Sequence, residues 1–225
     1  MTRFATAGLW LIPVYGALLA LGTITHQPSY DTDFQSYAEY ITTDQFLVSH
    51  LGASIAGAAL GQLGIVAVLA FLVRGRTAVP ATLGAASFII GSVFLVAVFG
   101  VAAFAQPAIG RAYLADRPGI HQVNEDVYGL PLVVTAGIGL LLFLIGGIVL
   151  GIAIAREGRS LKWVGIGFAG SLVVFVLGFL MLEIAQPIGA AVFALVGIAL
   201  AIRLPQHARR AEAAAPPAAP RPRAV

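Results

Sequence analysis

Apolar residues occupy every helical face over six stretches of this chain, and polar residues collect between them. The stretches cover residues 4–24, 46–73, 81–106, 127–155, 163–183 and 188–202. Most reach the roughly 20 residues that a helix rising 1.5 Å per residue needs to cross about 30 Å of hydrocarbon. No water reaches the bilayer core, so a single spanning segment must satisfy its own backbone hydrogen bonds, which means helix. The pattern predicts an all-α fold: a polytopic integral membrane protein built as a six-helix bundle. The first stretch follows a lone Arg3 and has the charged start and apolar middle of a signal peptide. Its length favours a retained span, kinked at Pro13.

The intervening segments set the boundaries. Residues 25–45 carry Asp31, Asp33, Glu39 and Asp44 without a Lys or Arg. Phe34, Tyr37 and Ile41 recur there at helical steps, and Thr32-x-x-Gln35 reads as a capping box. This predicts a short amphipathic helix lying on the membrane surface, its rings at headgroup depth. Thr43-Asp44 caps the second span, which ends at Arg74-Gly75-Arg76. The third begins after Pro80 and stops at Pro107, whose missing N–H opposes continuation. A polar connection over 107–126 leads to the fourth span, which stops at the basic run from Arg156 to Lys162. From Pro205 to the end, a mixture of Ala, Pro and Arg has too little apolar bulk to bury and predicts a disordered tail.

Residues 99–107 (FGVAAFAQP) return as residues 179–187 (FLMLEIAQP). The same offset pairs Gly57 with Gly137, Arg76 with Arg156 and Phe88 with Phe168. Spans two and three would then be related to spans four and five as a degenerate tandem repeat of helix hairpins. Two spans separate the copies, an even number, so the repeat would be parallel, about an axis along the membrane normal. Ala53, Gly57 and Gly61 line one face of the second span, and Gly147-x-x-x-Gly151 marks the fourth; such spacings let helix backbones approach. Gln62 falls near the midplane, where a hydrogen bond to a neighbouring helix is expected.

Composition narrows the class further. Hydrophobic residues make up 59% of the chain and charged residues 10%, against about 25% charged in soluble domains. That leaves no mass for a large water-soluble catalytic module. The absence of cysteine removes disulfides, thiolate metal sites and thiol lipidation. Basic residues sort by side: Arg3, Arg74, Arg76, Arg156, Arg159, Lys162, Arg203, Arg209, Arg210, Arg221 and Arg223 fall together, against Arg111 and Arg117 opposite. By the positive-inside rule, both termini lie in the cytoplasm of a bacterial plasma membrane. The basic balance thus reports topology, and no nucleic acid is expected as a partner. The bilayer itself, a membrane-protein complex or a second copy of the chain are the expected partners. The polar first loop, the His heading a Gly- and Ala-rich span and the Phe-Ala-x-Pro closing the next resemble multispan proteins common in GC-rich bacteria; the likeness brings no activity with it.

Candidate chemistry concentrates at one depth. Counting about 20 residues from the basic ends brings His50, Gln106, Glu183 and Gln186 to the outer edge of the hydrocarbon. If the two Ala-Gln-Pro corners face each other, these four residues define an outward polar pocket, with Glu183 and His50 as an ionisable pair. A second constellation, His26, Asp31 and Asp33 with His121, Glu125 and Asp126, has the donor types for a divalent metal. Phosphate-binding glycine loops are missing. A haem between helices would want two histidines at span depth, and only His50 qualifies. No cofactor is named by these residues. The expected function is non-enzymatic: an accessory subunit, or a binder of a lipid, quinone-like or other apolar molecule in a pocket open to the outer leaflet. The rival readings are a membrane enzyme or metal-dependent protein using His50 and Glu183, and a small secondary transporter.

Overall fold

The computed structural model describes residues 3–24, 27–182 and 184–214. Among these the chain is all α, with six helices long and apolar enough to cross a membrane. It is a multi-pass membrane protein. The spans are Arg3–Gly22, Asp44–Leu72, Ala78–Leu114, Leu130–Glu157, Lys162–Met181 and Ala185–Ala214. Two short helices, Phe34–Ile41 and Ile120–Val127, lie in the connections at one end. Each span packs on its neighbours in sequence, and the sixth closes against the first. The described basic residues, except Arg111 and Arg117, gather at the end opposite the two short helices. There the Arg76 guanidinium donates to the Arg156 carbonyl and the Thr77 hydroxyl donates to Glu157 at 2.5 Å. Glu157 therefore braces two connections.

Lipid is as apolar as leucine, so close backbone packing rather than apolar burial must hold such helices together. The tightest seam joins spans three and four. A Cβ on Gly84 would lie 2.7 Å from the Leu150 nitrogen, and one on Gly146 would lie 2.7 Å from the Gly84 carbonyl oxygen. Gly91 and Gly139 repeat the arrangement seven residues along, and Ser87 donates across the seam to the Leu142 carbonyl at 2.9 Å. The small residues named from sequence serve other seams. Gly57 and Gly61 leave room for the Tyr15 ring of span one, and Ala53 meets Gly22. Gly147 receives Leu172, and Gly151 lies against Gly165 and Ala169 of span five. Gln62 is half-buried and makes no side-chain hydrogen bond among the described residues.

Several boundaries differ from the sequence expectation. Span three does not stop at Pro107. It continues unbroken for 37 residues, about 55 Å, because the proline removes one hydrogen bond while Ile109 and Gly110 beyond it are buried. It closes instead at Asp116, in the left-handed conformation (φ 52°), with Asp116 N–H donating to the Tyr113 carbonyl and Arg117 N–H to that of Ala112. That is a Schellman motif. The second Ala-Gln-Pro, by contrast, lies in the first turn of span six. The two segments that carry the repeat therefore have unlike local structures, and spans three and six are not paired neighbours. Span six runs past Pro205 to Ala214, with Leu204 and Pro205 buried, so residues 205–214 are helix and not tail. Residues 215–225 lie outside the described residues. Span one breaks at Leu9–Trp10, and the carbonyl of Leu9, deprived of the N–H that Pro13 lacks, accepts from Ile12 at 3.2 Å.

Candidate functional site

The end opposite the basic residues is capped by protein. Asp33, not Thr32, caps the helix Phe34–Ile41: its carboxylate accepts from Ser36 N–H at 3.0 Å and from Ser36 Oγ at 2.6 Å. These bonds hold the Asp33 carboxyl below the usual carboxylate range. The apolar face of this helix packs against protein. Tyr37, Ala38 and Ile41 are fully buried, and the Ala38 carbonyl closes on Gly110 of span three so that a Cβ there would approach to 2.9 Å. The apolar stripe read from sequence thus meets the extension of span three that Pro107 fails to prevent. A second segment comes in from the other side. Gly119, at φ 77°, turns the chain into the helix Ile120–Val127. Asn124 and Tyr128 stand one turn apart on it, the Tyr128 N–H donating to the Asn124 carbonyl at 3.0 Å.

The Tyr37 hydroxyl, the Tyr128 hydroxyl and the Gln106 amide meet where these elements join, and the buried Asn124 amide lies one turn before Tyr128. The Tyr37 hydroxyl, Gln106 Oε1, Asn124 Oδ1 and the Tyr128 hydroxyl have no hydrogen-bond partner within the described chain. Tyr37 is 0% exposed, Asn124 1% and Gln106 5%. The Tyr128 hydroxyl interacts with both the Tyr37 hydroxyl and the Gln106 amide, yet none of these contacts closes into a full hydrogen bond. A buried polar group without a partner costs roughly 1–3 kcal/mol, so a native fold rarely leaves several together. Burial pushes the Tyr37 hydroxyl up to about 12, with Tyr30 adding to it and Tyr128 opposing it; it is a protonated donor throughout the physiological range. Aromatic rings surround the group. Tyr30 stacks on Tyr128 at 5.9 Å and meets Tyr37 edge-on at 5.7 Å, while Phe34 touches Tyr37, Tyr113 and His121 at 5.5, 4.7 and 4.2 Å between centroids. Outside this wall a cleft of about 560 Å³ opens, lined by Gln35, Tyr113, Arg117 and His121 among others.

Of the residues expected to form the outer pocket, Gln106 alone among the described ones belongs to this group. His50 lies in a stretch of π-helix, Ser49–Ala56, where Nδ1 bonds the Phe46 carbonyl at 2.9 Å and the ring lies 4.1 Å from that of Phe46. A carbonyl can only accept, so Nδ1 carries the proton and the histidine serves local backbone. Ser49 donates to the same carbonyl at 2.8 Å. Gln186 is half-buried at the turn into span six, its backbone against Gly178. Glu183 lies outside the described residues, as does His26 of the metal constellation. The remaining metal candidates are occupied separately: Asp33 caps its helix, His121 packs on Phe34 and Tyr113, and Asp126 accepts from Gln122 at 3.0 Å. Asp31 and Glu125 are exposed, and among the described residues no three His, Asp or Glu side chains come close enough to hold a metal. Sequence reasoning missed Asn124 and Tyr128. Their four-residue spacing, which puts an amide and a phenol on one helical face, was the available signal.

The fold and site together define a six-span membrane protein with a proteinaceous cap over buried, uncharged hydrogen-bonding groups. Comparison with protein-family models, curated proteins and solved structures finds no match to the chain.

Proposed function

We propose that this is a non-enzymatic membrane protein that holds a lipid- or quinone-like molecule by its neutral polar head beneath the cap. One observation carries the reading: at the capped end the buried oxygens of Tyr37, Gln106 and Tyr128 lie beside one another without a full hydrogen bond, and the buried Asn124 amide oxygen, a turn away, has none either. Phenols donate and accept, and amides do both, so the set matches a head that offers carbonyl and hydroxyl groups without net charge. The surrounding rings favour a flat or apolar neighbour. Among the described residues no acid or histidine joins the group, which supports binding over proton transfer. The basic end is assigned to the cytoplasm of a bacterial plasma membrane by the positive-inside rule, so the cap faces outward. A companion membrane protein or a second copy would exchange the held molecule with this site.

The test is purification into native nanodiscs followed by intact mass spectrometry and an absorbance spectrum. A retained apolar molecule, lost in Gln106→Leu and Asn124→Leu but kept in Thr135→Ala, is the expected result. Retention that ignores the first two substitutions would overturn the reading.

A further inference from the structure

A second recess lies at the basic end. Arg203, Gln206, His207 and Arg210 recur at i, i+3, i+4 and i+7 along span six, so they share one helical face. With Ser160 they line a cavity of about 200 Å³. The connection between spans four and five forms its other wall. A Cβ at Gly158 would strike the His207 ring, and Ser160 Oγ lies 3.5 Å from His207 Nδ1. The first turn of span five begins directly after this connection, at Lys162, and a helix start favours negative charge.

We propose that this recess binds the phosphate of an anionic phospholipid. Two guanidinium groups, an amide, a hydroxyl and an imidazole converge on it, and arginine forks match phosphate oxygens geometrically. Neither Arg203 nor Arg210 forms an ion pair among the described residues, so the cations are not committed to a carboxylate. The location selects lipid over a soluble anion. Trp163, 72% exposed and with Lys162 Nζ 5.6 Å from its ring centroid, stands beside the connection at interface depth. Ile198 and Ile202, five residues and one residue before Arg203, are exposed on the same helix. The recess, about 200 Å³, admits a phosphodiester head and leaves its acyl chains outside along Ile198 and Ile202. Basic pockets between spans are known to take such headgroups. This site is remote from the capped end and does not depend on the reading given for it.

The experiment uses the full chain in nanodiscs containing equal phosphatidylglycerol and phosphatidylcholine, with co-purifying lipid counted by native mass spectrometry. The wild-type protein is expected to retain phosphatidylglycerol preferentially, and Arg203→Gln with Arg210→Gln to reduce that preference about tenfold. Arg3→Gln with Arg74→Gln removes the same charge from the same end and is expected to leave it unchanged. An equal loss in both pairs would make the effect diffuse surface charge and overturn the site, as would no loss in either. If millimolar inorganic phosphate protects the protein against heating, through Arg203 and Arg210, while no phosphatidylglycerol is retained, the assignment to lipid is overturned. Both arginines are exposed, and unchanged elution and helicity of the variants verify that folding is intact.

Discussion

Removing one oxygen from the capped end gives a two-signed test of the proposed binding site. Tyr37 is fully buried and its hydroxyl has no partner within the described chain. In the ligand-free protein an unmet buried hydroxyl costs roughly 1–3 kcal/mol. Partial compensation by the nearby Tyr128 hydroxyl places the value near the lower limit. Tyr37→Phe keeps the ring and its edge contacts with Tyr30 and Phe34 while deleting the cost. The ligand-free variant should therefore be more stable by about 1 kcal/mol, a rise of roughly 2–4 °C in melting temperature for a chain of this size. With a ligand bound, the hydroxyl is satisfied and its deletion loses about 1 kcal/mol of hydrogen bonding, so affinity falls about fivefold. The assay compares thermal unfolding of delipidated protein in detergent with that of protein in native nanodiscs, wild type against variant. Stabilisation in the first and loss of the ligand-dependent increment in the second are expected. A delipidated variant less stable than wild type would mean that the fold itself satisfies the hydroxyl, and the case for a ligand at that position would fail.

Three further outcomes follow from the geometry. Gly84→Ala sets a methyl group against the Leu150 backbone nitrogen, and overpacking of about 1–3 kcal/mol should lower the unfolding midpoint; Gly137→Ala, which meets nothing within 4 Å, should leave it unchanged or raise it. Equal behaviour of the two would refute the seam between spans three and four. Asp33 has a lowered folded pKa, so its contribution to the cap helix is present above the ordinary Asp range and is lost as pH falls through the lowered value. Hydrogen exchange over residues 34–41 should accelerate on that descent, and Asp33→Asn, which caps without titrating, should remove the pH dependence. Thr77→Val breaks the bond to Glu157 at the basic end and should cost about 1–2 kcal/mol, measured by thermal unfolding; no change would show that the two connections are held without it.

The number of spans and their membrane character were legible in sequence because each depends on one local property, an apolar run of sufficient length. Two capping details were legible for the same reason: Thr43 accepts from Phe46 N–H as its type and position suggest, and Pro13 disrupts span one a turn before itself. The termination at Pro107 failed because a proline sets only a local penalty, whereas the burial of Ile109 and Gly110 under the cap helix comes from residues about seventy positions away. The packing glycines were read from four-residue spacings, but the tightest seam uses Gly84, Gly91, Gly139 and Gly146 at seven, a choice made by which helices become neighbours. The apolar face of Phe34, Tyr37 and Ile41 was visible, and what it covers was not.

By itself, then, the sequence determined which segments cross the bilayer and which end is basic, since hydropathy and charge act residue by residue. Only the tertiary structure decided that Tyr37, Gln106 and Tyr128 meet in one buried space, with Asn124 buried a turn away. Their meeting requires an over-long third span, a helix folded onto its extension and a second connection closing from the far side, and no local pattern encodes the coincidence of all three.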